Sequence, residues 1–195
     1  VDIKVLNALN LDAYQIGNHE FDEGEKRLAE LIEMATFPIL GANIHPTAAS
    51  PLASSRILPY VIKEIDGEKV AIIGVLKVEK TRESSMVTDA VKFTEEISTV
   101  RDQVKSLTDQ KINKIIVLSH LGYDFDQKLA ASVEEIDVIV GGDTHTRLDS
   151  TGELSKLGIE TEGAYPTVVN NPKGKPVYIV QAWEYAKALG RLQLD

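Results

Sequence analysis

The chain has 195 residues, 43% hydrophobic and 26% charged, the profile of an ordinary soluble globular domain. Its net charge of -9 argues against a nucleic-acid polymer held on a basic surface. No stretch approaches the roughly 20 apolar residues of a membrane-spanning helix. The absence of cysteine excludes disulfides and thiolate zinc sites, so any metal must be held by His, Asp, Glu, Asn or backbone oxygens.

The opening "VDIKVLNALN" places Val1, Val5, Leu6 and Leu9 near helical spacing. A helix that starts uncapped at a first residue other than Met is expected of a processed or excised chain. "DAYQIG" reads as a short strand ended by Gly17-Asn18. Leu28, Leu31, Ile32 and Ala35 then recur at i, i+3, i+4 and i+7, predicting an amphipathic helix over residues 24–36, closed by Pro38. "PILGAN" follows as a buried strand. "YVIKEIDGEKVAIIGVL" has the form of a β-hairpin about the tight-turn pair Asp66-Gly67. Ile97, Val100, Val104 and Leu107 predict a second helix between Thr94 and Gln110, leading into the apolar run "KIIVLSH". A third helix is predicted around Asp126 to Glu134, before the strand and polar cluster of "IDVIVGGDTHT". Residues 146–175, with four glycines and two prolines, read as a long loop with a short strand at "TVVNN". "PVYIVQA" and "LGRLQL" are both strand-like. The alternation of strand and helix predicts an α/β fold with a partly parallel sheet, and the hairpin and tail predict mixed or multiple sheets.

Three predicted strands end in polar clusters: Gly17-Asn18-His19, Ser119-His120 and Gly142-Asp143-Thr144-His145. Ligands of open α/β sheets bind beyond the carboxyl ends of strands, and three of the four histidines fall there. One shared site explains this better than three coincidences. Asp143 and His145, two residues apart on a tight loop, can serve two neighbouring metal ions, with His120 arriving from another strand. Asn18 offers a neutral amide oxygen suited to hard divalent cations. His19 cannot easily share that metal and is placed beside substrate, where Asp22 can accept its N–H and fix its tautomer. The structural alternatives are a helix capped by Asp22, a hydrogen-bonded strand-end histidine at His120 and an Asx turn at Asp143. His45 falls outside the clusters and reads as a surface or loop residue, and Arg147 and Trp183 read as structural.

"LNLDAYQIGNHEFDEG", "IIVLSHLGYDFDQKLA", "EEIDVIVGGDTHT" and "YPTVVNNPKGKPVYIVQA…LGRL" together resemble, in order and spacing, the catalytic domain of 5′-nucleotidases in the calcineurin-like metallophosphoesterase superfamily. The resemblance runs from about Leu9 to Leu194. It implies an αββα sandwich with mixed sheets and two divalent metal ions (Mn, Zn, Mg or similar) activating water for attack on a nucleotide phosphate ester. On this basis Asn18 and His120 are ligands of the second metal and His145 faces the first. His19 then stabilises the transition state or protonates the leaving oxygen, oriented by Asp22.

Two departures qualify the match. Asp143 stands where the family's GGHxH loop places a metal-binding His. The family's upstream motifs, an Asp-x-His strand end and a Gly-Asp turn, are absent before Gly17. Residues 1–195 are therefore expected to be a partial, N-terminally truncated catalytic domain lacking the C-terminal nucleotide-specificity domain, and to hold two, one or no metal ions. The expected partner is a small-molecule nucleotide, the location exported, and the oligomeric state open. The competing expectation is a metallophosphoesterase-fold domain with an incomplete site and no catalysis. Within the enzyme class, a 2′,3′-cyclic-nucleotide 2′-phosphodiesterase or a nucleotide-sugar hydrolase carries the same motifs.

Overall fold

The computed structural model describes residues 3–194; Val1, part of the expected opening helix, lies outside them. The chain begins with α1 (Ile3–Ala8), β1 (Tyr14–Gln15) and α2 (Gly24–Met34), then β2 (Ile39–Leu40), β3 (Ile44–Pro46) and β4 (Ile57–Leu58). The hairpin β5 (Tyr60–Ile65) and β6 (Glu68–Leu76) leads to α3 (Val78–Ser84), β7 (Val91–Phe93) and α4 (Glu96–Asp109). Next come β8 (Lys114–His120), α5 (Tyr123–Ser132), β9 (Val138–Val140) and α6 (Glu153–Lys156). The last strands are β10 (Thr167–Asn170) and β11 (Pro176–Val180). None of the described helices is long and apolar enough to cross a membrane.

Six strands form the main sheet in the order β10-β11-β9-β8-β6-β5, with β11, β9, β8 and β6 parallel and both edge strands antiparallel. The central strands read as continuous apolar runs because both of their faces are covered. On one face α4 and α5 pack through Val100, Val104, Leu107, Leu129 and Ala130. On the other lies a parallel three-stranded sheet, β1-β2-β4, itself covered by α1 and α2 through Ile3, Leu28 and Ile32. This is the helix–sheet–sheet–helix layering that the family resemblance implies. The sheets touch closely at Gly74, where a Cβ would collide with Gln15 Oε1 and Leu40 Cβ. That contact carries the end of β1 over the ends of β6 and β8.

Several expectations need correction. The helix expected over Asp126 to Glu134 starts earlier, at Tyr123, because Gly122 (φ 89°) turns the chain straight out of β8. It stops at Ser132, where Val133 is extended. "LGRLQL" forms no strand: the free edge beyond β11 is taken by β10, and Leu189 is 97% exposed. The helix expected over 24–36 ends at Met34. Helix α3 gave no apolar period, since Thr81 is its one buried residue. The strand at "TVVNN" and the Asp66-Gly67 turn, with both turn residues at positive φ, are as expected.

Candidate functional site

The site is assembled at the carboxyl ends of β1, β6, β8 and β9. In β8 successive side chains point to opposite faces. Ser119 accordingly turns toward α5, where its hydroxyl donates to Asp126 Oδ1, and His120 turns toward the β1 sheet. Its ring lies so close to Gly17 that a Cβ there would stand 2.8 Å from it.

The stretch "NHEF" after β1 forms a 3-10 turn, Asn18–Phe21. Glu20 fastens the turn, accepting the Gly17 N–H at 2.7 Å and the Tyr14 hydroxyl at 2.8 Å. Burial and the nearby Glu20 carboxylate push the Tyr14 hydroxyl pKa well up, so Tyr14 stays a donor. Phe21 is fully buried and meets Phe93 edge-on at 6.4 Å. With Asn18 and Phe21 pointing inward, His19 and Asp22 face solvent as a pair, Nδ1 to Oδ2, at 2.7 Å. Asp22 follows the turn and does not cap α2, whose N-cap is Glu23.

Asn18 is 1% exposed, and its amide is oriented from both ends. Nδ2 donates to Ser84 Oγ at 3.1 Å, while the Ser84 hydroxyl donates to the Lys80 carbonyl at 2.6 Å. Asn18 Oδ1 is thereby left facing His120 Nε2 at 2.9 Å. Asp143 Oδ1 lies 3.5 Å from the same Nε2, and its side chain is only 5% exposed. Burial lowers the His120 pKa; Asp143 and Glu20 oppose that shift, and Lys80 and His19 reinforce it. Asp143 also accepts an ion-pair hydrogen bond from the Lys80 ammonium, which reaches in from α3.

The "GGDTHT" loop departs from β9 with Asp143 (φ 73°) and His145 (φ 55°) in the left-handed region. Gln181, just past β11, holds it in place: Oε1 accepts the Thr146 N–H and Nε2 donates to the Gly142 carbonyl at 3.1 Å. His145 contacts the tail, with Nδ1 3.1 Å from Glu184 Oε2 and its ring 5.9 Å from Tyr185. Asn18, His120 and Asp143 are therefore gathered together, His19 and Asp22 are paired beside them, and His145 is held by a different set of residues. Among the described residues no group of three or more His, Cys, Asp or Glu forms a metal cage. His45, expected at the surface or in a loop, is exposed on β3 and bonds Thr94 Oγ1 at 3.1 Å.

No family model matches the chain. It is 41% identical over 193 residues to a probable 5′-nucleotidase of Treponema pallidum, covering 99% of this chain and 32% of that protein. The solved structure of the Haemophilus influenzae NAD nucleotidase superposes with a TM-score of 0.90 at 42% identity, over 95% of this chain and 32% of that one. The chain is homologous to 5′-nucleotidases. A calcineurin-like phosphoesterase from Bacillus subtilis superposes with a TM-score of 0.67 at 26% identity, over 91% of this chain and 56% of the other. The α/β fold with mixed sheets is that of these phosphoesterases. This 5′-nucleotidase homologue spans about a third of the length of the curated relatives it matches.

Four residues that sequence reasoning missed shape the homologue's site: Lys80, Ser84, Gln181 and Glu184. None lies in a dense polar cluster at a strand end. Their only sequence signal is position, α3 directly after β6 and the tail directly after β11.

Proposed function

We propose that residues 1–195 form part of a phosphoesterase catalytic domain that hydrolyses nucleotide phosphate esters, with nucleoside specificity carried outside these residues. The observation that supports it is the convergence of Asn18 Oδ1, His120 Nε2 and Asp143 Oδ1 beside the His19–Asp22 pair. Separations of 2.9 and 3.5 Å between donor atoms are those expected of ligands roughly 2.0–2.2 Å from one divalent ion. A neutral amide, an imidazole and a carboxylate also suit such an ion. The chemistry of the three donors and their two separations from His120 suit one metal, and His145 is held apart by Glu184. When bound, the ion would supply Lewis-acid polarisation of a phosphoryl oxygen and a water of lowered pKa.

Ser84 holds the Asn18 amide so that Oδ1, and not Nδ2, faces the donor set. Asp22 accepts the His19 Nδ1 proton, which leaves Nε2 of an exposed ring free to hold or deliver a proton at a leaving oxygen. Names such as 5′-nucleotidase and NAD 5′-nucleotidase among the relatives support a nucleotide substrate. The test is phosphate release from a nucleoside 5′-monophosphate with Mn²⁺, Mg²⁺ or Zn²⁺ supplied. His19→Ala is expected to lower the rate about 100-fold or more without lowering the melting temperature. Absence of turnover with every metal, or an unchanged rate for His19→Ala, would sink the proposal.

A second reading, a phosphoesterase-fold domain that no longer catalyses, has the Lys80–Asp143 and His145–Glu184 pairs in its favour. Titration calorimetry with Mn²⁺ separates the two: tight binding supports the enzyme, and none supports the silent domain.

A further inference from the structure

Asp143 Oδ1 stands between two claims. It is 3.5 Å from His120 Nε2, within the donor set, and it is the oxygen that the Lys80 ammonium holds. A carboxylate at 5% exposure is costly to keep charged without a partner, and Lys80 supplies that partner from within the chain. The placement of Lys80 is also built into the fold. Helix α3 starts where Val78 N–H donates to Glu96 Oε1 at 2.8 Å. It is seated by the fully buried Thr81, whose hydroxyl donates to the Lys77 carbonyl at 2.7 Å. One turn beyond Lys80 the same helix presents Ser84 to Asn18. One short helix therefore sets two members of the cluster, the amide by a hydroxyl and the carboxylate by a cation.

We propose that Lys80 is an internal counter-cation of the Asn18–His120–Asp143 cluster, and that a divalent ion must displace its ammonium from Asp143 in order to bind. Without metal, Lys80 neutralises Asp143 and keeps the strand ends together. When metal arrives, like charge drives the ammonium off Oδ1. At 39% exposure on a flexible four-carbon stem, Lys80 has solvent to move into. Metal affinity and metal-free stability are then opposed through one residue. The inference rests on the proposed reading of the cluster as a metal site.

The test is calorimetric titration of the 195-residue chain with MnCl₂, as wild type and as Lys80→Met, which keeps the stem and drops the charge. Lys80→Met is expected to bind Mn²⁺ about ten- to a hundred-fold more tightly. It is expected to melt below wild type without metal and to recover with saturating Mn²⁺. Lys80→Gln carries the same expectation with a smaller loss in melting temperature, should Lys80→Met not fold. A double-mutant cycle with Asp143→Asn gives a readout that needs no metal: the charge loss at 80 should cost little once 143 is neutral. If wild type and the Lys80 variants bind Mn²⁺ equally, the inference is overturned while the metal site stands. If none of them binds Mn²⁺, the metal reading falls and takes the inference with it. Zero coupling between positions 80 and 143 in metal-free melts also overturns it.

Discussion

Two of the polar stretches that build the cluster, "GNHEF" and "GGDTHT", are held in opposite ways. The Asn18–Phe21 turn is largely self-sufficient: Glu20 ties it to its own first N–H and to Tyr14, and Phe21 plugs it into the core beneath. The Asp143–Thr146 loop has left-handed residues at 143 and 145 and is held from a distance by Gln181, Lys80 and Glu184. The first stretch brings its backbone geometry with it and takes only the aim of the Asn18 amide from Ser84, whereas the second borrows its geometry throughout. A side chain can thus occupy the expected sequence position and still be aimed by partners 35 or more residues away, as Gln181 aims the loop.

The contrast predicts where each stretch breaks. Phe21→Ala should be the most damaging change, costing about 3–5 kcal/mol, because a fully buried aromatic leaves a cavity under the turn. Denaturant melts would read it, and a loss below 1 kcal/mol would mean that Glu20 alone holds the turn. Gln181→Leu comes next, at about 2–4 kcal/mol, since it strands the buried Thr146 N–H and the Gly142 carbonyl together. Gln181→Glu restores one acceptor and should recover part of that loss. If Gln181→Leu is neutral, the loop does not depend on β11 and the contrast is wrong.

The same division explains what was legible in the sequence. The α/β class, the β5–β6 hairpin, α4 and the central strands followed from periodicity and turn chemistry, which act within a few residues. The nearness of Asn18 to His120 and of His19 to Asp22 follows from places at a strand end or in the turn just after it, which is what the sequence could display. Lys80 was not, since α3 has one buried residue and no apolar stripe, and it finds Asp143 only through the parallel order of β6, β8 and β9. The partner of His145 was hidden for a related reason. Trp183, Tyr185 and Ala186 all sit at positive φ, a conformation that no propensity assigns to such residues. "LGRLQL" failed as a strand because period-two alternation cannot say whether a sheet edge is free to receive it.

A smaller effect separates the two faces of β8. Asp126 is fully buried on the Ser119 side of the strand, with Oδ2 lacking a hydrogen-bond partner among the described residues, and burial raises its pKa to about 7. The Asp143 charge adds to that rise, and the Ser119 hydroxyl opposes it. A free aspartate titrates near 3.9, so between about 4 and 7 the folded chain keeps a proton that the unfolded chain has lost. The contribution of Asp126 is thus full below pH 4 and fades as pH rises through about 7. Melting temperatures of wild type and Asp126→Asn, compared from pH 4.5 to 8, should diverge steadily in favour of the variant. A constant difference would mean that Asp126 is already ionised at the acid end.

The smallest effect tests whether the tail belongs to the loop or only rests on it. Glu184 reaches His145 at 3.1 Å, but it also holds Lys187 at 2.6 Å, and it is Lys187 that mainly lowers its pKa, with His145 contributing less. Half-exposed His145 sits at the solvent end of this chain of contacts, and exposed ion pairs add little to stability. Glu184→Gln should therefore leave the melting curve in place and loosen only His145, seen as narrower and shifted imidazole signals by NMR. The Asn18–His120–Asp143 cluster should not notice, because none of its contacts passes through the tail. If His120 moved with His145 in that spectrum, the two halves of the loop would be one mechanical unit. His145 could then be drawn toward the cluster by whatever displaces Glu184.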